Sequence, residues 1–163
     1  MSRKQMDINI SEKLTGGVNE RARDLVEYLR SYKMLPKRSA TQVWGFAYQT
    51  FPVCYVRINK GTDYWEITLF IGEYGGEAVS GEMKEIILAN RKPCSLKCKG
   101  GNCFLQIHRF FGDDCEICES ATTFYNPGLK EIECVKKLID LRVEDVQKGN
   151  AKKHVYIPIG KRT

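Results

Sequence analysis

Apolar residues recur every three or four positions in two long stretches of the chain, which is the spacing of one buried helix face. The first stretch begins near Val18, where Asn19 is expected to cap the helix, and it ends before Pro36. The second covers residues 129–146. Residues 81–90 have the pattern of a shorter amphipathic helix. The sequence therefore predicts two long helices and one short helix.

Between the first long helix and the short helix, apolar residues alternate with polar ones, as they do in strands. Strands are predicted over 41–49, 53–59 and 64–71, and the link at 60–63 has hairpin length. Two more strands are predicted, over 103–110 and, at a sheet edge, over 154–159. Consecutive antiparallel strands mixed with helices predict an α+β fold, in which a β-meander carries both long helices on one face.

The length of 163 residues and the 42% content of apolar residues suit one domain. We expect a mobile N-terminal arm over 1–17, a single α+β domain over 18–160 and a tail over 161–163. The chain has no apolar run long enough to span a membrane, and its first residues, MSRKQMDINISEK, lack the apolar segment of a secretory signal. A cytoplasmic location is therefore expected.

The net charge of +6 is concentrated at the two ends of the chain. Residues 1–40 carry a net charge of +4, residues 41–145 carry −3, and residues 146–163 carry +5. A duplex-binding protein is expected to have a basic stripe on its folded body. This distribution favours a solvated basic tail, although a role in binding nucleic acid stays open as an alternative.

The strand pattern predicts two unlike faces for the sheet. Three strand residues, Cys54, Val56 and Ile58, point to one face, which the helices are expected to cover. The opposite face is rich in aromatic and polar residues. Its predicted ligand-binding residues are Tyr48, Tyr55, Arg57, Tyr64, Glu66 and His108, with His108 included if the strand over 103–110 joins the same sheet.

The cysteine-rich stretch over 94–118 has the spacing Cys94-x3-Cys98-x4-Cys103-x11-Cys115-x2-Cys118. Two close pairs separated by a strand and a loop are the usual arrangement of a structural zinc site with four thiolates. The predicted ligands of Zn²⁺ are Cys98, Cys103, Cys115 and Cys118, with Cys94 in reserve. Four thiolates leave no coordination position for water, so the metal is expected to stabilise the fold rather than to catalyse a reaction.

Other interpretations of the cysteines remain open. Buried or free thiols, an iron–sulfur cluster and a regulatory thiol pair all fit a chain with seven cysteines. The remaining two, Cys54 and Cys134, fall on predicted core positions.

Motifs of common enzymes are missing from the sequence. There is no phosphate-binding loop, no dinucleotide fingerprint and no HExxH. Glu66 is expected to form an ion pair with Arg57 across the hairpin rather than to act as a general acid or base. No catalytic residue is predicted, and the sequence favours a binding protein over an enzyme.

Three segments resemble an uncharacterised family of small single-domain bacterial proteins. They are TLFIGEYGGEA at 68–78, the helix at 81–90 and KKLIDLR at 136–142, and the likeness as a whole extends over about half the chain. In that family a β-meander ending in an Ile-Gly-Glu step precedes two helices. The family has no established activity, so the resemblance implies a fold and no functional residue.

The leading hypothesis is a zinc-stabilised cytoplasmic domain that binds a small ligand or a protein partner on the aromatic face of its sheet. One alternative is a nucleic-acid-binding module that uses the same face and the basic termini. A second alternative is a thiol-based enzyme or redox sensor. No membrane role is expected, and the sequence indicates no oligomeric state.

Overall fold

A computed structural model describes residues 2–59, 63–70, 74, 76–90, 106–117 and 122–151, with only the backbone described over 106–110 and 113–117. The helices are α1 (Ser2–Lys13), α2 (Gly16–Ser31), α3 (Gly81–Ala89) and α4 (Leu129–Gln147). The strands are β1 (Lys37–Ala40), β2 (Val43–Tyr48), β3 (Phe51–Ile58), β4 (Trp65–Leu69), β5 (Gln106–Phe110), β6 (Asp113–Ile117) and β7 (Thr122–Tyr125).

Five strands form an antiparallel sheet in the order β1-β2-β3-β4-β7, and β5 pairs with β6 in a separate two-stranded sheet. The first four strands of the large sheet are consecutive in sequence, as in a meander. The predicted α+β class and the meander are confirmed. The predicted strand over 154–159 and most of the cysteine-rich stretch lie outside the described residues.

The register between β3 and β4 separates the two faces of the sheet. Cys54 pairs with Leu69, Val56 with Ile67, and Ile58 with Trp65. All six side chains are at most 2% exposed, which confirms the predicted core face. Burying one aliphatic side chain of this size stabilises a fold by about 1.5–3 kcal/mol, so this face anchors the domain.

The two long predicted helices pack on that core face. From α2 the buried residues include Leu25 and Leu29, and from α4 they include Val135, Leu138 and Ile139. Helices α2 and α4 contact each other, and α4 also contacts β3 and β4. The face that these helices cover is called the helix-covered face below.

The chain has a helix where the sequence predicts a mobile arm. Helix α1 buries Met6 and Ile10 in the core, and Leu14, directly after the helix, is buried at the same spacing of four residues. Asn19 does not cap α2, which begins at Gly16; its amide instead donates to the carbonyl oxygens of Ile10 (3.0 Å) and Leu14 (2.9 Å). Asn19 therefore donates to two carbonyl groups at the end of α1, of which that of Ile10 also accepts from the backbone N–H of Leu14, and it links α1 to α2.

A polar contact joins the two long helices. The hydroxyl groups of Tyr28 on α2 and of Tyr32, which caps the C-terminal end of α2, both donate to Oδ1 of Asp140 on α4, each at 2.5 Å. Burial and the neighbouring Asp140 raise the pKa of both tyrosines above the usual value. The hydroxyls therefore stay protonated and serve as donors to the carboxylate.

Among the helices within the described segments, none is both long enough and apolar enough to cross a lipid bilayer.

Candidate binding face

The sheet face opposite the helix-covered face is called the second face below. Cross-strand register places two neighbouring rows of residues on it, because directly paired residues of antiparallel strands share a face. One row consists of Gly45, Tyr55, Thr68 and Thr123, and the next consists of Val43, Arg57, Glu66 and Tyr125. Both rows cross β2, β3, β4 and β7.

An ion pair lies within the second of these rows. Nε of Arg57 is 3.6 Å from Oε1 of Glu66, and the two side chains are 27% and 11% exposed. The hydroxyl of Tyr64 donates to the other carboxylate oxygen, Oε2, at 3.3 Å. The predicted cross-strand pair is confirmed. At 3.6 Å it is longer than a good hydrogen bond, so its attraction is mainly coulombic.

The hydroxyl groups of two threonines lie in the middle of the second face. The hydroxyl oxygens of Thr68 and Thr123 are 3.0 Å apart and share a hydrogen bond. Both residues are buried, as is Phe70 at the end of β4. The centre of the second face is therefore shielded from solvent and partly polar.

Tyr55 lies across the backbone of β2. A Cβ atom added at Gly45 would stand 2.9 Å from Cε1 of Tyr55, so glycine leaves the space that the ring occupies. The ring also meets Phe70 edge-on, with centroids 5.6 Å apart. Tyr55 is therefore held flat against the sheet rather than projecting from it.

A pair of tyrosines forms the rim of the face. The rings of Tyr64 and Tyr125 have centroids 6.3 Å apart and planes inclined by 31°. Tyr125 is one of the exposed large apolar residues of the described chain. Burial, followed by the charge of Glu66, raises the pKa of Tyr64 to about 12.

Tyr48 is not on the second face, contrary to the sequence-based prediction. Its ring meets that of Tyr32, at the C-terminal end of α2, edge-on at 6.3 Å, and its hydroxyl accepts from Nε2 of Gln147 on α4 at 3.2 Å. The reason is the phase of β2: Trp44 and Phe46 pair with the core residues Val56 and Cys54, so Tyr48, two residues after Phe46, lies on the same helix-covered face. Tyr48 therefore belongs with the helices.

His108 is placed by its backbone alone. It lies in β5 and pairs with Cys115 of β6, so its strand is not part of the five-stranded sheet. The condition on which His108 was assigned to the second face is therefore not met. The side chain of His108 lies outside the described residues.

The predicted zinc ligands fall almost wholly outside the part of the chain that the structure describes. Cys94, Cys98, Cys103 and Cys118 lie outside it, and Cys115 is described only as a backbone position in β6. Within the described side chains, no group of three or more histidine, cysteine or acidic residues is placed to hold a metal ion. The zinc site stays a prediction.

The two cysteines that are described with their side chains, Cys54 and Cys134, are both buried and form no disulfide. Burial raises the pKa of each thiol above the usual value, so neither has the thiolate character of a reactive cysteine. This agrees with the prediction that they are core residues.

Several residues of the second face were not predicted from the sequence. Thr123 and Tyr125 lie in β7, which follows the cysteine-rich stretch and has only four residues. Their alternation with buried Phe124 is a strand signal, but it is too short to be distinguished from a loop. Lys37 lies in β1, another four-residue strand, which the sequence places in a loop.

Comparisons with protein-family models, with curated proteins and with solved structures give no match to this chain. The resemblance to the uncharacterised bacterial family remains a prediction, and the proposed function is based on the fold and the second face.

The raised pKa of Tyr64 gives a direct test of the site geometry. We expect one tyrosine to titrate at about 12 in ultraviolet absorbance, and Glu66→Gln should lower that pKa because it removes the neighbouring negative charge. The folded pKa lies above the unfolded one, so this group's contribution to stability is complete below about pH 10 and falls as the pH rises through 12.

Tyr64→Phe identifies the transition, because it should remove this one step from the titration. If Glu66→Gln leaves the step in place at the same pH, the contact between Tyr64 and Glu66 is not as described.

Proposed function

We propose that the protein is a binding domain that holds a small ligand or a segment of a partner protein on the second face. The observation that carries the proposal is the group of connected polar side chains on this face. Arg57 and Tyr64 both contact the carboxylate of Glu66. The hydrogen-bonded hydroxyl groups of Thr68 and Thr123 lie in the neighbouring row. A ligand site usually combines apolar walls with a few such polar groups.

The fold does not need the polar side chains of the second face for its stability, which supports a role for them in recognition. The helix-covered face already buries the apolar residues of β3 and β4. In a pair such as Arg57 and Glu66, whose carboxylate is buried, the cost of desolvating the charge offsets the coulombic attraction, so the pair adds little net stability. Its charged groups are better explained by orienting a ligand.

Nucleic acid is a weaker candidate for this face. Bases stack on exposed ring faces, and the described aromatic residues offer few of these. Phe70 is 5% exposed, Tyr55 lies flat over Gly45, and Tyr48 belongs to the helix-covered face. Among the described residues, this leaves Tyr64 and Tyr125 at the rim as the rings on which bases could stack.

A second small core on this face would also explain the buried aromatic residues. It does not explain why Glu66, Thr68 and Thr123, all at most 8% exposed, occupy the middle of the same surface. Burying a carboxylate and two hydroxyl groups costs free energy that their ion pair and hydrogen bonds have to offset, and apolar residues would fill a second core without that cost. Recognition of a polar ligand is a reason for these groups to lie there.

A structural zinc ion bound by the cysteine-rich stretch is the second part of the proposal. The support is the sequence spacing, together with the position of Cys115 in a paired strand that is part of a hairpin. Metal bound there would stabilise a segment that has few apolar residues of its own. A thiol-based enzyme or redox sensor would need a reactive cysteine among the same five, because Cys54 and Cys134 are buried.

The binding proposal predicts where small molecules attach. In a fragment screen followed by amide chemical shifts, we expect the shifts to cluster at the second face of β2, β3, β4 and β7. Tyr125→Ala should weaken the hits by about fivefold or more, because it removes an exposed ring from the rim.

Leu129→Ala is the matched control, since Leu129 is also large and exposed but lies at the start of α4. It should leave binding unchanged. Hits that cluster on the helices, or that respond equally to both variants, would contradict the proposal. Steeply salt-dependent binding of an oligothymidine at the same amides would favour nucleic acid instead.

The zinc proposal predicts one Zn²⁺ per chain in protein purified without added metal, measured by elemental analysis and native mass spectrometry. The metal should protect four thiols from alkylation, and its removal should lower the melting temperature. Metal-free protein in which all seven cysteines titrate under denaturing conditions, and the five of 94–118 react when native, would contradict it.

A further inference from the structure

Strand β1 is an edge strand of the five-stranded sheet, and β2 is its one neighbour among the strands that the structure describes. An edge strand presents a row of backbone N–H and C=O groups with which a further strand can pair. Three of the four residues of β1 are exposed, and the last is half-buried. This edge of the sheet is therefore accessible to an extended segment of another chain.

Strand β1 has a cationic side chain on each of its two sides. Lys37 pairs with Gly45, on the second face, whereas Arg38 pairs with the buried Trp44, on the helix-covered face. A strand added along β1 would therefore meet a positive charge on each face, at two adjacent positions.

The first turn of α1 brings further positive charge towards β1. Asp7 of α1 contacts Arg30, in the last turn of α2, at 2.7 Å. The two helices are antiparallel, so Arg3 and Lys4, one turn before Asp7 and on the same side of α1, lie towards the segment over 32–36 that joins α2 to β1. Helix α1 also contacts β1 directly.

These cations are not neutralised by the described acidic residues. The carboxylates of the adjoining turns, Asp7 and Glu27, both contact Arg30, at 2.7 Å and 2.5 Å. Five exposed cations of this region form no ion pair with a described residue. They are called the basic corner below and are Arg3, Lys4, Lys33, Lys37 and Arg38.

Backbone pairing along β1 is short. A register shift between Arg38 and Ala40 interrupts the regular ladder. A partner therefore needs contacts with side chains in addition to backbone hydrogen bonds. The basic corner offers charge, and Leu35, which is 62% exposed and lies between two of its lysines, offers an apolar contact.

A second copy of this chain is a poor occupant of the edge. Antiparallel pairing of two β1 strands would place Lys37 and Arg38 opposite the same cations of the copy, and like charges directly opposite each other destabilise a sheet. Acidic side chains at those positions would be attracted instead. Nucleic acid would also be attracted by the charge, but its phosphates would leave the C=O groups of the edge and the side chain of Leu35 without a partner.

We propose that β1 is a docking edge for an extended acidic segment of a partner protein. The segment adds a strand to the sheet, sets two adjacent acidic residues against Lys37 and Arg38, and contacts Leu35 with an apolar side chain. This interaction surface is separate from the ligand site proposed on the second face of the other strands.

The probe is a synthetic peptide with capped ends, Thr-Val-Asp-Glu-Val-Thr, added to the full chain at neutral pH and constant low ionic strength. We expect it to shift the amide signals of residues 37–39 and to slow their hydrogen exchange. A peptide with Asn-Gln in place of Asp-Glu should bind about tenfold more weakly, because two exposed charge pairs are lost. A peptide with both valines replaced by proline keeps the charges but loses backbone donors, and should bind about fivefold more weakly or worse.

Lys37→Gln and Arg38→Gln should each weaken binding of the acidic peptide about threefold to fivefold and leave the Asn-Gln peptide unchanged. Lys137→Gln is the matched control, because it removes the same charge from α4, at a lysine that forms no ion pair within the described chain. It should leave both peptides unchanged. Circular dichroism verifies that the variants fold.

Equal loss in the β1 variants and in Lys137→Gln, or undiminished binding of the proline peptide, would overturn the proposal. Tighter binding of hexathymidine than of the acidic peptide at the same amides would overturn it in favour of nucleic acid. The absence of peptide binding would also overturn it, and would leave the cations of β1 with the common role of protecting an edge strand from pairing. These outcomes leave the second-face proposal intact, since that proposal is tested at the amides of other strands.

Discussion

The register between β3 and β4 is the constraint on which the rest of the structure depends. Pairing Val56 with Ile67 puts an apolar row under the helices, and the same register necessarily puts Arg57 opposite Glu66 on the other side. A slip of one residue would exchange the two faces, so the large free energy of core burial also fixes the position of the polar row. The packing of the hydrophobic core on one side of the sheet therefore fixes which residues lie opposite each other on the second face.

Much of the fold could be predicted because its main signals are long and periodic. The alternation of apolar and polar residues in β3 and β4 and the helical spacing in α2 and α4 each extend over several residues, and the apolar ones are buried. Helix α1 was predicted as a mobile arm because only Met6, Ile10 and Leu14 mark its buried face among mostly polar neighbours. Its position depends on tertiary contacts, such as the hydrogen bonds from Asn19, which a local pattern does not reveal.

The candidate site could be predicted in part. Arg57, Glu66, Tyr55 and Tyr64 follow from strand alternation and a hairpin link, and the first two form the predicted ion pair. Tyr48 was assigned to the wrong face because the residues of β2 do not reveal which of its two faces is buried, and only the pairing with β3 does. The flat position of Tyr55 depends on the missing side chain of Gly45 in the neighbouring strand, which becomes apparent only when the register is known.

The central claim is that the ionic row of the second face serves recognition and is not needed for folding. A double-mutant cycle with Arg57→Ala, Glu66→Ala and the double variant measures this directly, from the free energy of unfolding in urea. The account predicts a coupling free energy of about 1 kcal/mol or less, because the pair is long and Arg57 is partly exposed. A coupling of about 3 kcal/mol or more would contradict it, since the pair would then stabilise a second core.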